Sequence, residues 1–188
     1  MIRARAGRAA TTAAVVLLVL QVAASFAGHL IRREGVRTRE TLDLLVVHRL
    51  DQLVWPFTDG RSRTLQLAFV AVVVLAAVIT GLLTFLSARL LVAGTPAPAV
   101  LLLTWMAVVL ATTTAQVPWA IVYADQIGGG RAPAYWADVL ERAPWWGVLL
   151  GWVPALAATI AYAMTNRGRP VTAPHQPAWQ PATREERP

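Results

Sequence analysis

Two histidines are the first residues whose chemistry we considered, because imidazole binds haem and divalent metals. His29 ends a long apolar run, and His48 lies in the charged segment that follows it. A haem held by two histidines in a helical bundle needs both ligands on facing helices, directed toward the bundle core. The positions of His29 and His48 do not meet this requirement, so we expect no haem.

Three acidic residues after the third apolar run are the next candidates, as ligands for a cation. Asp125, Asp138 and Glu141 are scattered, and Arg131 and Arg142 lie among them as ion-pair partners. The chain has no cysteine, which excludes thiol redox chemistry, cysteine-bound zinc and iron–sulfur clusters. The sequence also lacks the HExxH, GxSxG, P-loop and GxGxxG motifs. We therefore predict a protein that is not an enzyme and has no metal or cofactor.

Several uncharged polar residues lie inside the apolar runs. They are Gln21, Thr112, Thr113, Thr114 and Gln116. Pro118 removes the hydrogen bond to the Thr114 carbonyl, and nearby hydroxyls compensate for such losses in membrane helices. Intramembrane polar groups either hold helices together or line a path for solutes. No charged residue lies near the middle of a run, so helix contact is the favoured interpretation and transport the alternative.

The composition is typical of a membrane protein. The chain of 188 residues is 56% hydrophobic and only 14% charged, whereas soluble domains have about a quarter charged residues. The net charge of +7 does not indicate nucleic-acid binding, because arginines that flank apolar spans contact lipid phosphates. Four runs are long enough to cross a bilayer as helices. They cover residues 9–30, 65–86, 99–123 and 145–164.

The predicted fold is therefore an all-α polytopic membrane protein. Residues 1–165 form a domain of four transmembrane helices, and the proline- and arginine-rich tail 166–188 is expected to be disordered. The first run has a second interpretation. Arg3, Arg5 and Arg8 precede it and residues 25–27 (Ser-Phe-Ala) end it, as in a secretory signal peptide that would remove residues 1–27. The length of the run favours a retained helix.

Two shorter helices are predicted in the loops. Residues 41–54 are too short and too charged to span, and they form an amphipathic helix at the membrane interface. Its apolar side contains Leu42, Leu45, Val46, Leu50 and Leu53. In the third loop, Pro133 favours the start of a short helix that is expected to end before Pro144.

Small residues recur every fourth position in the fourth run. They are Gly147, Gly151, Ala155 and Thr159, and they fall on one face of a helix. Small residues at this spacing allow helix backbones to approach closely in lipid, where apolar side chains gain little from association. The pattern predicts a helix-packing seam.

Orientation and function follow less directly from the sequence. The arginines divide almost equally between the two sides, so the positive-inside rule does not decide by total. The N-terminal arginines together with Arg167 and Arg169 favour a cytoplasmic location for both termini. The absence of lysine and the abundance of alanine, valine and leucine indicate a GC-rich bacterial genome, hence a bacterial plasma membrane.

We accordingly predict a non-enzymatic membrane protein that acts through contacts with another membrane protein or with itself. Such a protein is a subunit, an anchor or an assembly factor of a membrane complex. The alternative is a small transporter or channel component that uses the threonine-rich third span.

Overall fold

The computed structural model describes residues 2–33, 53, 55–58, 62–91, 97–127 and 132–164. These residues form five helices and contain no strand. The helices are α1 (Ile2–Arg33), α2 (Arg63–Leu90), α3 (Ala97–Ile127), α4 (Ala132–Leu150) and α5 (Trp152–Met164). The predicted all-helical class is confirmed for this part of the chain, and the tail 166–188 lies outside it.

The helices extend beyond the apolar runs because hydropathy does not report where backbone hydrogen bonding stops. Ser62 illustrates the start of α2. Its hydroxyl accepts a hydrogen bond from the Leu65 N–H at 3.3 Å, which is the usual role of an N-cap serine. The helix therefore begins two residues before the predicted apolar run.

Three helices are long and apolar enough to cross a membrane. The candidate spans are Ala4–Ile31, Arg63–Leu90 and Ala97–Val122. A fourth span exists if Glu141–Leu150 and Trp152–Met164 together cross the membrane, with a bend of 43° between them. These three helices correspond to the first three predicted runs and are compatible with a membrane location.

The prolines of α4 and α5 have different effects, and one of them corrects an expectation. The predicted short helix of the third loop does not end before Pro144, because α4 continues through this residue to Leu150. The predicted fourth span, 145–164, covers the end of α4 and all of α5, which are separated by a break at Gly151. Pro154 offers no N–H to the Leu150 carbonyl and its ring crowds that carbonyl, which places the break one residue later.

The helices pack in a ring. α1 packs against α2 and α5, and α3 packs against α2, α4 and α5. Each helix contributes one buried stripe at spacings of three and four residues, as in helix bundles. On α2 the stripe runs from Leu65 through Val72 and Ala76 to Thr84 and Ala88.

The surface of the bundle is more apolar than a water-soluble protein would present. Large side chains such as Val78, Leu82 and Ile121 are more than half exposed. Threonines and glutamines are buried instead, among them Thr80 and Gln116. Water would oppose this arrangement, whereas lipid accepts apolar side chains and drives polar ones inward. The distribution suits a bundle surrounded by lipid.

Candidate functional site

The four residues of the predicted seam are all buried, and Gly147 approaches α3 most closely. A Cβ atom added to Gly147 would lie 2.6 Å from the Cα of Val109 and 2.7 Å from the Oγ1 of Thr112. Cβ atoms essentially never come this close to backbone atoms. The backbones of α3 and α4 therefore meet at a position where only glycine fits.

Gly151 is enclosed by its own chain and by side chains of α3. A Cβ atom there would lie 2.9 Å from Cδ1 of Trp105 and 3.1 Å from Cγ1 of Val108, and it would also meet the Gly147 carbonyl oxygen. An added Cβ atom would thus displace a neighbour at Gly151 as well as at Gly147.

A hydrogen bond from α3 reaches α4 one turn before the bend. The indole Nε1 of Trp105 donates to the Gly147 carbonyl at 3.1 Å, and the Gly151 N–H donates to the same carbonyl at 2.8 Å. A carbonyl oxygen has two lone pairs and accepts both. Trp105 was not among the residues singled out from the sequence. The available signal was an indole N–H inside an apolar run, where it needs a buried acceptor.

The polar threonines of α3 bond within their own helix. Thr112 donates to the Val108 carbonyl at 2.9 Å and to Val109 at 3.1 Å. Thr113 and Thr114 donate to the carbonyls four residues earlier, at 2.7 and 2.8 Å. Thr159 of the seam does the same toward Ala155 at 2.8 Å. Thr112 is buried, Thr113 is half-buried and Thr114 is exposed, so the three hydroxyls do not share one surface.

Other buried polar groups lie on α1 and α2. Gln21 is 4% exposed, and its Oε1 has no hydrogen-bond partner among the described residues. The same is true of the hydroxyls of Thr80 and Thr84, one turn apart on α2. Gln116 on α3 is also buried and has a polar partner. An unpaired buried polar atom lowers stability by about 1–3 kcal/mol. Gln21, Thr80 and Thr84 are therefore the most notable polar residues of the described interior.

Aromatic rings cluster at the end of the bundle where α1 ends and α2 begins. Trp55 makes edge-to-face contacts with Phe26, Phe57 and Phe69 at centroid distances of 5.1, 5.2 and 5.8 Å. Leu53 is 3% exposed and lies in a bend beside this cluster. The other predicted apolar residues of the interfacial helix lie outside the described residues: Leu42, Leu45, Val46 and Leu50.

The candidate ligands of haem and metal do not converge where they are described. His29 is half-buried at the end of α1, Glu141 is exposed on α4, and His48 lies outside the described residues. No group of three metal-binding side chains occurs in the part of the chain that the structure describes. No family model, curated protein or solved structure matches this chain. The function is therefore argued from the geometry of the bundle.

Proposed function

We propose that this chain is a non-enzymatic, four-span protein of a bacterial plasma membrane that acts through protein contacts. It would serve as a subunit, an anchor or an assembly factor, and its partner would be another membrane protein or a second copy. The observation that carries the proposal is the close contact of Gly147 with the α3 backbone, because it makes the bundle a tightly packed scaffold.

The threonines of α3 add support. A transport path through the third span needs polar groups that face one lumen and remain able to bind a solute. The hydroxyls of Thr112, Thr113 and Thr114 point to three sides of α3 and are bonded to its own carbonyls. This arrangement favours a structural role for the threonine-rich segment.

The fourth span in this proposal is the bent pair α4–α5. Backbone hydrogen bonds continue across the break, from the Gly151 N–H to the Gly147 carbonyl and from the Ala155 N–H to the Gly151 carbonyl at 3.2 Å. The backbone groups of a membrane span must be hydrogen-bonded within the protein. The bonds on both sides of Gly151 meet this requirement at the break and support one continuous crossing.

Both termini are proposed to be cytoplasmic. Reporter fusions after Gly60 and Gly129 should then be active only for reporters that fold outside the cytoplasm. A cytoplasmic signal at either point would overturn the orientation.

Co-purification tests the function. We expect the tagged full-length chain, extracted from its native membrane in mild detergent, to retain a second membrane protein or another copy at fixed stoichiometry. Gly151→Leu should release the partner because leucine displaces Trp105 and Val108 and moves α5. Leu156→Ala is the control, since Leu156 is 44% exposed and off the seam. A chain that purifies alone and as a monomer would refute the proposal.

A transporter or channel component remains the second candidate, and one observation favours it. Gln21, Thr80 and Thr84 bury polar atoms that have no partner among the described residues, as expected of groups that contact water or a passing solute. Under the scaffold proposal, Thr80→Val should keep or raise the melting temperature because the hydroxyl lacks a partner. Under the transport alternative it should abolish solute flux into reconstituted vesicles.

A further inference from the structure

A groove lies between the first turns of α1 and the last turn of α5. It has a volume of about 590 Å³ and is open to the surroundings. Its polar lining comes from Arg8, Thr11 and Thr12, and its apolar lining includes Ala161 and Met164. One cationic group and two hydroxyls thus adjoin an apolar surface in a single concave site.

The polar residues of this groove lie near the ends of the helices. Arg8 is exposed near the start of the first candidate span, and Met164 is the last residue of α5. Lipid phosphates lie at this level of a transmembrane helix, and basic pockets between helix ends bind anionic headgroups. The sequence adds Arg5 one turn before Arg8, and Arg167 and Arg169 shortly after Met164. The charge is therefore complementary to a phosphate.

Gly7 provides the space. A Cβ atom added at Gly7 would meet no other atom within 4 Å, so this side of α1 faces open room. A second groove of about 400 Å³, between α1 and α2, is lined by Ala10, Thr11, Val74 and other uncharged residues. Of these two grooves, only the one at Arg8 has a positively charged residue in its lining.

We propose that the groove at Arg8 binds one anionic phospholipid. The headgroup phosphate contacts the Arg8 guanidinium and the hydroxyls of Thr11 and Thr12, and an acyl chain lies along Ala161 and Met164. The lipid would join α1 to α5, the first helix of the bundle to the last. This inference goes beyond the proposed protein contacts and requires only that the bundle is embedded in lipid.

The test is a native mass spectrometry titration of the full-length protein with dioctanoyl phosphatidylglycerol. Parallel titrations use dioctanoyl phosphatidylcholine and inorganic phosphate. We expect one phosphatidylglycerol to bind per chain, with weaker binding of phosphatidylcholine and of phosphate. Arg8→Gln should weaken phosphatidylglycerol binding about fivefold, as expected for the loss of one basic residue near an anionic headgroup. Arg8→Lys should retain most of it.

Two further variants separate a built site from general attraction. Gly7→Leu should fill the groove and weaken binding without lowering the melting temperature in lipid-free detergent, because the leucine meets open space. Arg89→Gln should leave binding unchanged, since Arg89 is an exposed arginine that stacks on Phe85 at the end of α2 and does not line the groove.

Several results would overturn the proposal. Equal binding of phosphatidylcholine would show that the negative charge of the headgroup has no role. Equal binding of inorganic phosphate would show that contacts with the acyl chain have no role. An equal loss of binding in Arg89→Gln and Arg8→Gln would indicate general attraction. Unchanged binding in Gly7→Leu would place the lipid elsewhere. A change of oligomeric mass in Gly7→Leu without lipid binding would make the groove an interface between copies.

Discussion

Replacing Gly147 by alanine tests the close contact between α4 and α3. The added Cβ atom would lie 2.6 Å from the Val109 Cα and 3.2 Å from the Val109 N, so α4 must shift away from α3. Such overpacking costs about 1–3 kcal/mol. The shift also weakens the hydrogen bond from Trp105 to the Gly147 carbonyl, whose net contribution is about 1 kcal/mol.

Helix propensity acts in the opposite direction. Alanine is favoured over glycine inside a helix by about 1 kcal/mol, which offsets part of the steric cost. We therefore expect Gly147→Ala to lower the free energy of unfolding by about 1–3 kcal/mol. At about 2–4 °C per kcal/mol for a chain of this size, the melting temperature should fall by several degrees.

Two other helical glycines supply matched controls for a melt followed by tryptophan fluorescence in detergent. A Cβ atom at Gly81 would lie 3.4 Å from the Ala14 Cβ, an ordinary contact, and at Gly7 it would meet nothing within 4 Å. Gly81→Ala and Gly7→Ala should therefore melt at or above the temperature of the native protein. If Gly147→Ala melts with them, the close approach of α4 to α3 is refuted.

Three further experiments probe the seam, the aromatic cluster and the predicted interfacial helix. Trp105→Phe keeps an aromatic ring but loses the hydrogen bond to the Gly147 carbonyl, so the free energy of unfolding should fall by about 1 kcal/mol. Trp152 is half-exposed, and an equal effect of Trp152→Phe would argue against a specific role of Trp105. Trp55→Ala removes three ring pairs worth roughly 0.5–1.5 kcal/mol each, and thermal melts should show a larger loss than for Trp55→Phe. In a cysteine scan of residues 41–54 with an impermeant thiol reagent, positions 45 and 53 should be shielded and position 51 accessible. Uniform labelling would contradict the predicted interfacial helix.

Most of the helical framework was predictable because lipid imposes a simple rule on sequence. A helix must present about twenty apolar residues to cross the bilayer, and the runs at 65–86 and 99–123 lie within helices that meet this requirement. The spacing of Gly147, Gly151, Ala155 and Thr159 also indicated one shared face. Such spacing does not indicate which residues of another helix pack against the face, here Val109 and Trp105.

The bend in the fourth run could not be predicted from the sequence, because a proline in a sequence has no fixed outcome. Pro144 lies inside α4 and Pro118 inside α3, whereas Pro154 coincides with the 43° bend. Each proline removes one backbone hydrogen bond, and the packing around the freed carbonyl decides whether the helix continues. One turn before the bend, the Gly147 carbonyl also accepts from Trp105, 42 residues earlier in the chain, a neighbour that the local sequence does not indicate.

The groove at Arg8 was missed for a related reason. The N-terminal arginines were interpreted as orientation signals, and their sequence neighbours gave no indication of the residues at the other end of the chain. Only the packing of α1 against α5 brings Met164 and Ala161 beside Arg8. Contacts between the first and last helices of a bundle are set by the closure of the ring.

Whether the α4–α5 pair crosses the membrane decides between four spans and three. Because the native chain has no cysteine, single substitutions Ala137→Cys and Met164→Cys report on one site each, and both positions are exposed. In sealed right-side-out vesicles, an impermeant maleimide should label position 137 directly and position 164 only after permeabilisation. Ala4→Cys should behave like position 164, since both lie on the proposed cytoplasmic side. Labelling of positions 137 and 164 from the same side would mean that the pair re-enters, and the four-span bundle would be wrong.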